Sequence, residues 1–195
     1  STVWPRGLPT REVEHLTVQI ADPYDALCVG IGANQSREVA AAEAIQLIGG
    51  FSDPHFAIKH APALKAFLND VGEFDGAYGP RLRPQYNALV DRLKSDADTR
   101  QAVLSIWRPA DLLRESSKDY PCTLVLGFAV RRDKLNLSVV MRSNDVNWGF
   151  KNDVFQFTQL QCSIADILGV EAGVYRHTAF AMHLYGRDVE WAFNL

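Results

Sequence analysis

Met141-Arg-Ser-Asn-Asp-Val-Asn-Trp-Gly-Phe-Lys-Asn-Asp153 is a polar, glycine-containing connection between two segments that must both pack on a core. Before it, Leu135-Asn-Leu-Ser-Val-Val-Met141 is rich in branched residues and predicts a strand. After it, Val154 to Leu168 is amphipathic and predicts a helix. The connection holds Arg142, Ser143, Asp145, Asn152 and Asp153, more hydrogen-bonding capacity than a link between two elements needs. Loops fixed at both ends by packed elements are where binding and catalytic groups concentrate.

Working outward, Trp4 to Glu12 is a turn-rich entry with two prolines, a glycine and two arginines. Leu16, Val18 and Ile20 alternate with polar residues as in a half-buried strand, which Asp22-Pro23 ends. Ser36 caps a predicted helix running to about Ile48 and stopped by Gly49-Gly50. A polar segment with short helices follows through Gly76, and Tyr86 to Leu93 reads as helix after Pro84. Gln101 to Trp107 and Leu124 to Val130 read as strands, with a tight turn at Asp133-Lys134 joining the latter to Leu135–Met141. Gly173 to Tyr185 predicts a long strand, with room for an interruption. No repeat, low-complexity tract or linker divides the chain. The mixed order predicts an α/β (α+β) fold around one large sheet, as a single domain over residues 1–195.

Hydrophobic residues at 47% and charged residues at 22% are ordinary for a soluble globular protein. A net charge of −3 argues against a general polyanion binder, so a phosphate site must be built locally from a few arginines. Three widely spaced cysteines, Cys28, Cys122 and Cys162, form neither a disulfide framework nor a metal-ligand spacing. The sequence shows no signal peptide and no apolar run long enough to cross a bilayer, so the expected setting is reducing, intracellular and cytoplasmic.

Two positions stand out on chemistry alone. Val39, Glu43 and Leu47 share one face of the predicted helix, so a carboxylate lies on an aliphatic stripe. It is either a glutamate at the stripe's edge snorkelling to water or a carboxylate aimed into a pocket. Cys122, after Pro121 at the entry to an apolar strand, is either a small core residue or a nucleophile. As a nucleophile it needs a lowered pKa, for which Arg142, Arg100 and Arg6 are the candidate cations.

Pro121-Cys122-Thr123, the Arg142-Ser-Asn-Asp-Val146 segment and His183-Leu-Tyr185, in that order, resemble thymidylate synthase and its relatives, the pyrimidine-nucleotide C5 transferases. The resemblance covers about Arg6 to Tyr185 and is nearest to the deoxycytidylate hydroxymethylase branch. It implies a large mixed sheet flanked by helices, a homodimer joined through the sheet, and 5,10-methylenetetrahydrofolate as co-substrate with no metal. It implies Cys122 as the nucleophile attacking C6 of the pyrimidine, which makes C5 able to take a one-carbon unit. Arg6, Arg142 and Ser143 would hold the nucleotide phosphate, and Arg100 would reach over from the partner subunit. The family usually has two adjacent arginines there, where this chain has Arg100-Gln101.

By the same resemblance Asp145 meets the O2 edge of the base, with Asn144 beside it among the substrate-binding positions. His183 and Tyr185, on one face of a strand, bind the sugar 3′-hydroxyl. Tyr78 assists proton removal at C5, and Glu43 organises water and proton transfer. Asp145 and Trp107 are the candidate folate contacts. The family's C-terminal segment, which folds over the folate, has no counterpart in these residues.

Asp153 bears on the substrate. Thymidylate synthases carry asparagine there, whose amide accepts from uracil N3–H and donates to O4. A carboxylate accepts from the cytosine amino group and favours protonation of N3, whereas against uracil O4 it opposes acceptor to acceptor. Asn152 is adjacent, but the ungapped run from Arg142 through Gly149 sets the register on Asp153. Thr123, where synthases usually have histidine, also resembles the hydroxymethylase branch. The expected activity is therefore folate-dependent 5-hydroxymethylation of dCMP or CMP. The alternatives are a thymidylate synthase acting on dUMP and an inactive nucleotide- or RNA-binding member. Membranes and nucleic acid are not expected partners.

Overall fold

The computed structural model describes residues 1–26 and 36–193, so Cys28 lies outside the described residues. Its strands are β1 (Thr2–Val3), β2 (Thr10–Ile20), β3 (Val103–Ser105), β4 (Thr123–Arg131), β5 (Lys134–Met141), β6 (Asn144–Asp145) and β7 (Glu171–Tyr185). They form one sheet in the order β1-β2-β7-β5-β4-β3. β5 and β6 both pair with β7 in parallel, and the other pairs are antiparallel. β6 prolongs the line of β5, because Val139 faces His177 and Asn144 faces Met182 at the same offset. The loaded connection of the sequence thus leaves β5, touches β7 once more, and only then enters a helix.

The helices are α1 (Arg37–Gly49), α2 (Pro54–His60), α3 (Gly79–Ser95), α4 (Pro109–Leu112), α5 (Phe150–Leu168) and α6 (Val189–Phe193). α5 is central: Val154, Phe157, Leu160, Ile164 and Ala165 are buried at helical spacing against Leu135, Leu137, Val139, Tyr175 and Ala179 of the sheet. α1 and α3 pack against α5 in turn. On the opposite face of the sheet Arg176 and Phe180 are exposed, with the His15 and Phe180 rings 5.4 Å apart and Thr17 hydrogen-bonded to Thr178.

Ser36 caps α1 by accepting from the Val39 N–H, and Gly50 closes it at φ 72°, as the sequence predicts. Gly79 starts α3 against the end of α1, where any Cβ would overlap the Phe51 and Gln46 carbonyl oxygens.

Five expectations change: β2 begins at Thr10 rather than near Leu16, and α5 begins at Phe150 rather than Val154, so Asn152 and Asp153 stand on the helix. α3 begins at Gly79 rather than Tyr86 and contains Pro84. Pro84, in the second turn, forgoes the bond to the Pro80 carbonyl, while the Tyr78 carbonyl accepts from the Arg81 and Leu82 N–H groups to hold the turn before it. The β4–β5 turn is centred on Arg132 and Asp133, both left-handed at φ 55° and 58°, one residue earlier than read. This is the backbone of a two-residue turn that suits the twist of its strands. Gln101–Trp107 shortens to Val103–Ser105, because Ile106 and Trp107 N–H both turn onto the Leu124 carbonyl. β7 runs uninterrupted for 15 residues.

Candidate functional site

The pairing of Thr123 with Met141 places the residue before β4 beside the residue after β5. Arg142 therefore meets Cys122: its N–H donates to the Cys122 carbonyl at 2.9 Å, and its guanidinium reaches the Cys122 sulfur at 3.7 Å. The guanidinium also donates to the Pro121 and Tyr120 carbonyls and lies 5.8 Å from the Trp107 ring centre. Trp107 is outside the cleft wall and packs on Arg142 instead.

Cys122 opens on a cleft of about 310 Å³ that Glu43 of α1, Tyr78 before α3, and Asn152, Asp153 and Gln156 of α5 also line. The stripe oddity of α1 resolves in favour of the pocket. Burial and then the Asp153 charge push the Glu43 carboxyl up to about 8. The Tyr78 hydroxyl accepts from the Thr123 N–H at 3.3 Å, its ring lies parallel to Phe157 at 6.0 Å, and burial raises its pKa well above the usual phenol range.

The thiol differs from expectation. Burial raises the Cys122 pKa; Arg142 and, more weakly, Arg6 pull it down without reversing the shift, while Asp153 and Asp119 push it further up. Arg100 takes no part in that balance and is exposed ahead of β3. Two cations at the rim do not offset the desolvation of a thiolate in a cleft shared with carboxyl groups.

Asp153 is 8% exposed, and both oxygens are engaged. Asn144 Nδ2 donates to one at 2.7 Å, and Gln156 Nε2 donates to the other at 2.9 Å. Burial raises its pKa to about 7, while the two amide donors act in the opposite direction. Among the described residues no group of three or more His, Cys, Asp or Glu side chains could hold a metal ion.

A second cluster stands on β6 and β7, outside the cleft wall. Asp145 faces His183 in the sheet register. Ser143 Oγ lies 3.1 Å from His183 Nδ1, His183 Nε2 lies 3.9 Å from Asp145 Oδ2, and the Tyr185 ring stands edge-on to His183 at 5.2 Å. Asp145 Oδ1 accepts from the Asn147 and Trp148 N–H groups, which fixes the turn into α5. Arg6 is exposed in a 3₁₀ turn at φ 53°.

The sequence reading missed Gln156, Asp119 and an apolar wall made by Phe51, Leu64, Phe67, Phe74 and Trp148. Gln156 could have been found, since it sits one helical turn after Asp153. The aromatic residues between Phe51 and Phe74 show no periodicity, so nothing marked them as one surface. That wall offers flat apolar contact beside a polar floor, a fit for a conjugated ring system.

The sequence pattern of the family described as Thymidylate synthase matches residues 48–194. A deoxyuridylate hydroxymethyltransferase of Bacillus phage SP01 is 32% identical over 201 residues, covering 94% of this chain and 52% of the relative. A second protein of that name, from Pseudomonas phage M6, is 34% identical over 151 residues, covering 73% of this chain and 43% of the relative. The chain thus spans about half the length of these curated relatives. Thermostable thymidylate synthase A from Bacillus subtilis superposes with a TM-score of 0.82 at 22% identity, over all of this chain and 74% of that one.

Proposed function

The chain belongs to the thymidylate synthase family, and from that premise we propose that it hydroxymethylates C5 of a cytosine nucleoside monophosphate, using methylenetetrahydrofolate as the one-carbon donor. The observation that carries the reading is Asp153: a carboxyl group, not an amide, lies buried in the cleft with Cys122 and Glu43. A carboxylate accepts from the cytosine amino group and draws a proton onto N3, which makes C6 more electrophilic.

Cys122 adds to C6, and a cleft base takes the thiol proton. That base is needed because the thiol is not ionised in advance. Glu43, its pKa raised to about 8, is mainly protonated at neutral pH with a minor ionised share, and so can pass a proton in either direction. Tyr78 already accepts from the Thr123 N–H, so its own proton is available toward C5. The folate supplies a carbon at the oxidation level of formaldehyde, and the wall of Phe51, Leu64, Phe67, Phe74 and Trp148 would hold its rings. Once the C5 proton is removed and the carbon is released from the folate nitrogen, water adds to the methylene left on C5, and elimination of Cys122 from C6 frees the hydroxymethyl product and the thiol. Arg142, Arg6 and Ser143 are assigned to the phosphate, Asp145 to the base, Asn144 to the substrate site from behind Asp153, and His183 and Tyr185 to the sugar. The open sheet face bearing Arg176 and Phe180 is assigned to a second copy of the chain, whose Arg100 would complete the phosphate site.

A uracil nucleotide is the second reading. It is favoured by the names of the two phage relatives and by the Asp153 pKa of about 7. A protonated carboxyl accepts through one oxygen and donates through the other, which matches uracil N3–H and O4 as an amide does.

The test is incubation with methylenetetrahydrofolate and, separately, dCMP, CMP and dUMP, followed by product mass. Hydroxymethylated cytosine nucleotide, lost on Cys122→Ala, is the expected result. Turnover of dUMP alone overturns the base assignment. Methylated uridylate with dihydrofolate formed identifies a synthase. Binding without turnover of any of the three points to an inactive member.

A further inference from the structure

An ionised carboxylate has four lone-pair positions, two per oxygen. In this cleft Asn144 fills one on the first oxygen of Asp153 and Gln156 fills one on the second. Asn144 and Gln156 are themselves buried, at 4% and 6% exposure. The Asn144 oxygen has no hydrogen-bond partner, so this buried amide is oriented by its donor end alone. One lone pair on each Asp153 oxygen remains for a ligand.

We infer that Asn144 and Gln156 are positioning residues that set base choice, by completing a shell of donors around Asp153 that only a base bringing two donors can close. Cytosine protonated at N3 brings two, the amino N–H and N3–H⁺. Uracil brings one, N3–H, and turns the lone pairs of O4 toward the other oxygen, so it requires the proton to stay on Asp153. The proton is the same in either complex; only its location differs. Each amide donor stabilises the carboxylate and so biases that proton toward N3 of cytosine. The inference rests on the cytosine reading above.

The electrostatic surroundings are consistent with this role. The ionisable groups coupled to the Asp153 charge are Glu43 on α1, Tyr78 before α3, Cys122 before β4 and Tyr175 on β7. None is a cation, and burial works against the carboxylate. Asn144 and Gln156 are the groups that favour it.

The experiment measures dCMP and dUMP binding by calorimetry, without folate, from about pH 6 to 9 in buffers of different ionisation enthalpy. Wild-type protein is compared with Gln156→Met, Asn144→Leu, Asp153→Asn and the Asp153→Asn/Gln156→Met pair. Wild type is expected to prefer dCMP and to take up a proton on binding it above the Asp153 midpoint. Gln156→Met and Asn144→Leu are each expected to lower the dCMP/dUMP affinity ratio about tenfold, the scale of one charge-assisted hydrogen bond. They should also move the proton-uptake midpoint to higher pH, which loss of packing alone would not do. In the Asp153→Asn background Gln156→Met should leave the ratio unchanged. Preference for dCMP with ratio and midpoint unmoved in both single variants overturns this inference alone. A wild type that prefers dUMP throughout overturns the cytosine reading beneath it. If either single variant fails to fold, absence of proton uptake by wild type on dCMP binding still overturns the inference.

Discussion

The Arg142 guanidinium stands 3.7 Å from the Cys122 sulfur while its Nε and Nη2 donate to the Pro121 and Tyr120 carbonyls. The cation is thus fixed to the backbone just before the thiol it favours, and Trp107 packs on it. Because burial still leaves the thiol above its ordinary pKa, loss of this cation should raise it further. Arg142→Met is expected to slow iodoacetamide alkylation of Cys122 several-fold at neutral pH and to shift the rate profile to higher pH. Alkylation rate against pH, with the modified residue located by mass, checks this.

Asp153→Asn replaces two acceptors by one acceptor and one donor. Relative to wild type it is expected to change the dUMP/dCMP ratio of kcat/KM by roughly 10- to 100-fold toward dUMP, corresponding to about 1–3 kcal/mol for an unmatched buried polar pair. An unchanged ratio would remove Asp153 as the selector.

Stability should fall as pH rises from about 6.5 to about 8.5. Glu43 and Asp153 have folded pKa values raised to about 8 and about 7, so the folded chain holds protons that the unfolded chain has already lost. Their stabilising contribution is complete below the unfolded carboxylate range, near pH ~4, and is lost as pH rises through the folded values. His177, buried neutral with its pKa lowered to about 4, acts in the opposite direction, but only below its ordinary pKa of 6.5. Urea midpoints across this range test the sign, and Glu43→Gln should flatten the slope.

Arg81 donates to both oxygens of Asp111 at 2.6 and 2.7 Å, and to the Ile106 and Asp75 carbonyls, with both side chains nearly inaccessible. Removing one partner leaves a buried charge alone, so Asp111→Ala is expected to destabilise by about 3–5 kcal/mol. Arg81→Met with Asp111→Leu should recover much of that loss. Chemical denaturation of the three variants measures it. Asp111 has a lowered folded pKa, so its contribution should persist above the unfolded carboxylate range and vanish as pH falls below it.

By itself the sequence determined the elements whose information is local. The Ser36 cap, the Gly49-Gly50 stop, the period-2 strands around Gly127 and Val139, and the amphipathic α5 are set by side chains within a few residues of one another. It also singled out Glu43, because a carboxylate on an aliphatic stripe conflicts with its neighbours. The order of its motifs carried the family resemblance.

What only the tertiary structure decided involves groups far apart in the chain. Arg142 meets Cys122 because antiparallel register brings the end of β5 to the start of β4. Phe51, Phe67, Phe74 and Trp148, far apart in the chain, line one cleft only in the folded protein. The protonation of the cleft was likewise illegible: nearby arginines suggested a lowered thiol pKa, but desolvation by the packed surroundings outweighs them. The sequence placed Asn144 among the substrate-binding positions and gave no sign of Gln156, and only packing brings both amides onto Asp153. Burial and hydrogen-bond partnership are properties of the whole packed chain, and no local pattern encodes them.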